Sequence, residues 1–423
     1  MKKTRFFYGL NYFLIVLLGW LLLFGKAAEM NKRSEESAKR EQKEKKKETD
    51  ENKVQQREPS IRVLLTDSSW QSCYHQSVTI EQKGKEHTYT PDSQELQNDS
   101  LLLDGGTDGI AIPSIERAQN PPVYYGTLEI KKTAQGLLII NELSLEAYLE
   151  AVVPSEMPAS YEEQALMAQA VCARTYAVCQ IQENSLEKYG ADVDDSVNYQ
   201  VYNNFGADKR TNKAVQDTKG QILCQNGEPI TAYYFSTSAG RTSTDEIWGA
   251  DRSAAYLKSV ECDFDQNMPW SSWSVEIPWE TLEKRSGNLE GSGKFIGLQV
   301  IKKNISGAVT GMEIVTENKS IQLEGEYEIR QFLSPAGCLI TEKDGSIVNG
   351  SNLLPSAYFE LNVKSGKAVQ IQGKGYGHGV GMSQNGANDL AEAGYGYEEI
   401  LSHYYNGTEL EKLRETGNKT NEE

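Results

Sequence analysis

The chain opens with a block of apolar residues, follows it with a block of charge, and only then settles into the periodicities of a folded protein. From Phe6 to Gly25 the sequence FFYGLNYFLIVLLGWLLLFG runs 20 residues without a charge, about the length a helix needs to cross a bilayer. Lys2, Lys3 and Arg5 precede this run and Lys26 follows it, which assigns residues 1–5 to the cytoplasm and the rest of the chain to the outer side. A cleaved signal peptide is the alternative; GKAA is a poor cleavage site, and a retained anchor at 6–25 is the better reading. Residues 26–58 are dominated by charges of both signs with almost no apolar side chains, so they predict a solvated linker without a core.

Between 59 and 136 the stretches IRVLLTD, SVTIEQ, HTYT and TLEIKK cluster β-formers between Gly, Asp and Pro turns, predicting a β-rich N-terminal region. At NELSLEAYLEAVV the period turns helical, and Pro154 is expected to stop that helix. A second helix is expected to start at Ser160, where Ser160 and Glu163 form a capping-box pattern. From Ala165 to Ile181 its polar residues are only Gln169, Arg174, Thr175 and Gln180, so it is expected to be buried on nearly all sides at the centre of the domain. GQILCQNGEPITAYYF reads as a hairpin about Asn226-Gly227. A second β-rich lobe, about 261–345, follows with short helical pieces at 279–285 and 327–333. The last part runs from strands through a glycine-rich loop into helices, and a polar tail closes the chain at 412–423. The pattern predicts an α+β fold: a membrane-anchored, extracytoplasmic domain with a central helical core and β-rich lobes.

The net charge of −17 sharpens this. Setting aside the four cations of 1–28 and the net +1 of 29–58, residues 59–423 carry −22, which excludes a nucleic-acid partner. The six cysteines are scattered without a CxxC pair and read as free thiols rather than a disulfide scaffold. The four histidines show no metal-ligand spacing, so neither a metal nor another cofactor is expected.

Three stretches carry candidate chemistry. In VVPSEMPAS the lone carboxylate Glu156 sits among Val152, Val153, Pro154, Met157 and Pro158; apolar neighbours disfavour the ionised form, raising its pKa toward the range of a general acid. A helix-capping role is the alternative. Arg174, on the apolar helix, needs an anionic partner or a groove to face, since an unpaired buried charge costs several kcal/mol; Glu156, a substrate group and a more distant acid all remain open. In GKGYGHGVGMSQNGA, glycine at every second position from Gly373 to Gly381 strips one face of an extended chain bare and lets another chain or a ligand approach, while Lys374, Tyr376, His378 and Val380 point together from the other. The P-loop pattern is missing. In YYFSTSAG, the hydroxyls of Ser236, Thr237 and Ser238 are available to sugar rings or to neighbouring backbone.

Together VVPSEMPASYEEQALMAQAVCARTYA, YYFSTSAGRT with EIWG and YLKSV, and GKGYGHGVGMSQNGA resemble, in order and over residues 137–411, the stage II sporulation protein D family, which also contains amidase enhancers. The resemblance implies a lytic transglycosylase that cuts peptidoglycan glycan strands, preferring strands stripped of peptide, during forespore engulfment. It makes Glu156 the catalytic acid and Arg174 and Lys258 groove residues; Ser236, Ser238, Lys374, Tyr376, His378, Ser383 and Gln384, from the motif stretches, are expected to bind substrate with them. It places the domain between the mother-cell and forespore membranes, with glycan strands, the membrane and other engulfment hydrolases as partners. Asn385 and Ala239-Gly240-Arg241 depart from the family's usual residues, and 180–223 lacks the His and Cys that bind zinc in some members. A single acid suits lytic cleavage, in which the sugar's own C6 hydroxyl replaces water, whereas hydrolysis uses two carboxylates. The rival from another class is a glycan-binding module that activates a cell-wall amidase.

Overall fold

The computed structural model describes residues 59–413, except 205, 250, 251, 290 and 292. The expected anchor, linker and all but the start of the polar tail lie outside the described residues. Among the described residues no helix is long and apolar enough to cross a membrane.

The N-terminal β-region forms as the alternation predicts. Strands Ser60–Leu65, Ser100–Asp104, Thr127–Thr133 and Gly136–Ser144 belong to a five-stranded sheet whose edge strand, Val193–Asp194, runs parallel to the first. That late strand carries the chain out at the Leu65 end of the sheet, opposite the Ser60 end at which the helix leaves Ser144, and the segment after it turns back toward that helix. Helix α1, Leu145–Glu156, is capped by the Ser144 hydroxyl, which accepts from the Ala147 amide at 3.3 Å. Pro154 does not stop it. The proline sits inside the last turn, and the helix runs two residues further, so that Glu156 is its final residue rather than part of a turn.

Helix α2, Glu163–Glu183, begins three residues later than the capping-box pattern predicts, with Glu162 at the N-cap position and no side-chain cap. The Glu162 amide instead donates to Asn388 Oδ1 at 2.8 Å, a tertiary partner that local sequence cannot show. Its central burial follows expectation. Ala170, Ala173, Ala177 and Val178 pack toward the N-terminal sheet, while Ala165, Leu166, Ala168, Val171 and Cys172 pack toward the C-terminal elements; small residues allow close approach on both sides. No disulfide joins the cysteines, and Cys172 and Cys179 are buried in this helix.

After α3, Lys209–Asp217, the hairpin Gln221–Gln225 with Glu228–Pro229 turns at Asn226 and Gly227, both with positive φ, as a two-residue primed turn requires. The β-rich lobe contains α4, Trp279–Gly287, and α5, Glu326–Phe332. Its five-stranded sheet includes Phe359–Lys364 and Ala368–Gly373, and one apolar cluster spans Trp273 to Ile371, so the lobe extends well past 345. Helices α6, Gln384–Glu392, and α7, Tyr397–Tyr404, close the core.

The glycine alternation does not make an extended strand. Gly375, Gly377, Gly379 and Gly381 all have φ between 76° and 109°, a region that side chains strongly disfavour. Val380 is accordingly buried in the core while Lys374 and Tyr376 are exposed. The close approach expected of the bare face is present: a Cβ at Gly381 would lie 1.9 Å from the Tyr233 carbonyl oxygen, and one at Gly377 2.9 Å from Phe235 Cβ. The loop wedges against Tyr233–Thr237, and Met382–Ser383 pairs in parallel with Tyr234–Phe235.

Candidate active site

Glu156 reaches the cleft because α1 ends on it. Its apolar neighbours Val152, Val153 and Met157 turn into the core, leaving the carboxyl partly exposed. The segment after strand Val193–Asp194 lies across it, and the Val201 amide donates to Glu156 Oε1 at 2.7 Å. That segment is held in turn by Asp195, which accepts from the Thr66 hydroxyl at 2.7 Å and pairs with the buried Arg117, and by the Asn203 amide on Ser155 Oγ at 3.2 Å. Burial pushes the Glu156 carboxyl up to about 7, against the Val201 and Tyr234 hydrogen bonds, which favour the ionised form.

Tyr234 has a fixed polarity. Gln200 Nε2 donates to the Tyr234 hydroxyl at 3.0 Å and to the Ala173 carbonyl at 3.3 Å, while Gln200 Oε1 accepts from Tyr148 at 3.3 Å. With Gln200 occupying an acceptor site of the Tyr234 oxygen, the phenolic proton is left for Glu156. Removing it by Tyr234→Phe should therefore raise the Glu156 pKa further, by up to about 1 pH unit. A carboxyl ¹³C titration, with Glu156→Gln identifying the resonance, checks this; an unchanged midpoint would place the phenol elsewhere.

Two cavities meet at the carboxyl. One, of about 520 Å³, is lined by aromatic residues, among them Tyr176, Tyr199, Tyr233, Trp248, Tyr327 and Tyr376, with Asn198, Ser236 and Gln384 supplying polar groups. The other, of about 530 Å³, is lined by Pro154, Ser155, Met157, Pro158, Ala159, Gly206 and Asp208. Glu156 lines both, so an extended molecule could pass along the two with the acid midway. No lysine or arginine lines either cavity among the described residues. The second carboxylate there, Asp208, accepts from the Arg210 and Thr211 amides as the cap of α3.

The motif residues divide sharply. Ser236, Tyr376, His378 and Gln384 join Glu156 at the cleft; Gln384 Nε2 also donates to the Glu156 carbonyl at 3.2 Å. Arg174 does not reach it. Fully buried, its guanidinium makes a paired contact with Glu146, Nε to Oε1 at 2.9 Å and Nη2 to Oε2 at 2.7 Å, and donates to the Val215 and Gln221 carbonyls. The distant acid is its partner. Ser238 and Ser383 are likewise buried: Ser238 Oγ donates to the Cys262 carbonyl at 2.9 Å, and Ser383 Oγ donates to Asp265 at 2.6 Å and caps α6. Lys258 and Lys374 are exposed and line neither cavity. Asn385 holds the backbone, donating to the Ser236 carbonyl at 3.1 Å and to Thr237 Oγ1 at 2.9 Å.

His378 is a wall rather than a proton carrier. Its Nδ1 accepts from the Val380 amide at 3.1 Å, and the ring is bonded to the Tyr234 backbone and packed among Tyr233, Phe235 and Trp248. Burial pushes it down to about 4, so it is neutral at ordinary pH.

Comparison with known proteins gives this arrangement a context. A family model described as stage II sporulation protein matches residues 133–224, which carry Glu156 and Val201. Stage II sporulation protein D of Bacillus subtilis (strain 168) is 33% identical over 286 residues, covering 64% of this chain and 75% of that protein. The chain belongs to the stage II sporulation protein D family. The protein of the same name from Bacillus amyloliquefaciens is also 33% identical, over 285 residues and 75% of its length. The Amidase enhancer of Bacillus subtilis (strain 168) is 32% identical over 377 residues, 74% of this chain; the chain spans about half, 51%, of that longer relative. A second family model, a domain of unknown function, matches residues 251–381.

Proposed function

We propose that this protein is a lytic transglycosylase that cleaves peptidoglycan glycan strands during sporulation, anchored by residues 6–25 with the folded part outside the cytoplasm. The observation that carries the reading is Glu156, a carboxyl with a pKa near 7 that no cation among the described residues pairs, at the meeting point of two cavities. Glu150, Glu162 and Glu163, the acids nearest in sequence, line neither cavity; Glu150 accepts from Gln216 and Glu163 pairs with Lys213.

One group then performs two steps. Protonated Glu156 donates to the glycosidic oxygen as the C1–O bond breaks, and the leaving sugar departs as an alcohol. The resulting carboxylate takes the proton of the C6 hydroxyl as that oxygen bonds to C1, closing a 1,6-anhydro ring and restoring the acid. The Val201 amide and the Tyr234 hydroxyl stabilise the carboxylate between the steps.

Incubation of the purified protein with peptide-free glycan should give strands ending in 1,6-anhydro-N-acetylmuramic acid, each lighter by one water than a hydrolysed end. Reducing ends carrying heavy oxygen from labelled water, as the main product, would reject the reaction. The relative named Amidase enhancer supports a second reading, a glycan-binding activator. It predicts no new glycan ends from this protein alone, and faster peptide release when an amidase is added.

A further inference from the structure

The region matched by the domain of unknown function, 251–381, supplies Tyr327, Tyr376, Gly377 and His378 to the aromatic cavity. Tyr327 stands on α5, whose position is fixed from two sides. Buried Glu326 pairs with Arg330 at 2.8 Å and accepts from Trp248 Nε1 at 3.2 Å, which ties the helix to a second ring of the cavity. Arg330 donates to the Leu354 and Pro355 carbonyls at 2.8 and 3.2 Å. The Gly377 amide donates to that same Pro355 carbonyl at 2.9 Å, so helix and glycine loop share one anchor. The Tyr376 ring, just before Gly377, packs on Trp270 with centroids 4.7 Å apart.

Tyr376 and Trp248 each rest one side on a neighbouring ring, yet the rings of this wall stay partly open to the cleft. Tyr327 is 57% exposed, Tyr376 39% and Trp248 39%, although aromatic rings are among the side chains that gain most from burial. Exposed rings held by buried anchors suit a ligand with apolar faces and polar edges. The absence of lysine and arginine from the lining, with Glu156 the one acid on this side, disfavours polyanions such as phosphate polymers and fits an uncharged pyranose chain, whose C–H faces stack on rings while its hydroxyls and acetamido groups meet Asn198, Ser236 and Gln384.

We infer that the 251–381 region is a sugar-stacking wall, with Tyr327 and Tyr376 as platforms that grip a neutral N-acetylhexosamine chain beside Glu156. This rests on a glycan being the ligand, common to the cleavage and activator readings, and not on cleavage itself.

The test measures binding without turnover. In the full chain carrying Glu156→Gln, affinity for a chitin tetramer, a neutral N-acetylglucosamine oligomer, is measured by calorimetry. Tyr327→Ala and Tyr376→Ala should each raise Kd about 5- to 10-fold. Tyr327→Phe and Tyr376→Phe should stay within about twofold, because the ring is kept; these two and Tyr327→Ala should melt within about 2 °C of the parent, since an exposed ring contributes little to stability, while Tyr376→Ala, which gives up the contact with Trp270, is compared at a temperature where it is fully folded. Alanine variants that bind as the parent does, a parent that does not bind the tetramer, or equal affinity for a polyanion such as polyglutamate would each overturn the inference. Ring-dependent binding together with no anhydro ends in the product assay would reject the transglycosylase reading and leave the wall standing.

Discussion

Glu156→Gln is expected to reduce glycan cleavage by about 10²- to 10⁴-fold, the usual cost of losing a general acid, while the fold survives. The amide retains an oxygen to accept the Val201 amide and the Tyr234 hydroxyl, the two groups that orient the carboxyl. It cannot give a proton to the glycosidic oxygen. In the parent, cleavage should fall as pH rises through about 7, where the acid loses its proton, and this limb should vanish with the variant's activity. Stability gives a second readout. The folded chain holds the Glu156 proton up to about pH 7, while the unfolded chain releases it near the ordinary value of 4.5, so the parent loses stability as pH rises through that window. The loss is at most about 3 kcal/mol, reduced by solvent reaching the carboxyl from the cleft. Glutamine does not titrate, so the variant should melt above the parent at pH 8 and with it at pH 4.5. Near-parental cleavage by the variant would end the single-acid mechanism.

What the sequence disclosed follows from the range of the physics involved. Glu156 was legible because the groups that raise its pKa, Val152, Val153 and Met157, are its neighbours in the chain and are buried with it. Its hydrogen-bond donors were not. Val201 contributes a backbone amide, which leaves no mark on residue identity, and Tyr199 and Val201 reach the cleft only because strand Val193–Asp194 joins the sheet beside Ser60–Leu65. The burial of Arg174 could be read from an apolar helix; its partner could not, because Glu146 lies on α1 and meets it only when the two helices pack. The same burial that required a partner removed Arg174 from the substrate. Glycine alternation announced close approach correctly and its conformation incorrectly, since alternating positive φ and an extended strand demand the same residue at the same spacing. Tyr327, at the start of a short helix in a distant lobe, carried no local signal at all, whereas the aromatic run at 233–235 and Tyr376 in the glycine loop were visible hints of a lined cleft.

Arg174→Ala should destabilise the fold by about 3–5 kcal/mol, the cost of breaking a buried ion pair by removing one partner. What is lost is two bonds to the Glu146 carboxylate, those to the Val215 and Gln221 carbonyls, and longer ones to Thr218 Oγ1 and the Ala170 carbonyl. Glu146 would remain largely buried, keeping the bond from the Gly220 amide at 3.1 Å but no cation. A melting temperature lower by roughly 10 °C is expected for a domain of this size. The double variant Glu146→Gln with Arg174→Met should recover much of it, because a buried pair replaced as a whole leaves no stranded charge. Since the guanidinium does not line the cleft, protein that stays folded below its transition should cleave glycan with KM unchanged and kcat within a few-fold of the parent. A variant with parental melting temperature and a raised KM would return Arg174 to the substrate, and would mean that α1 and α2 are not locked together through Glu146.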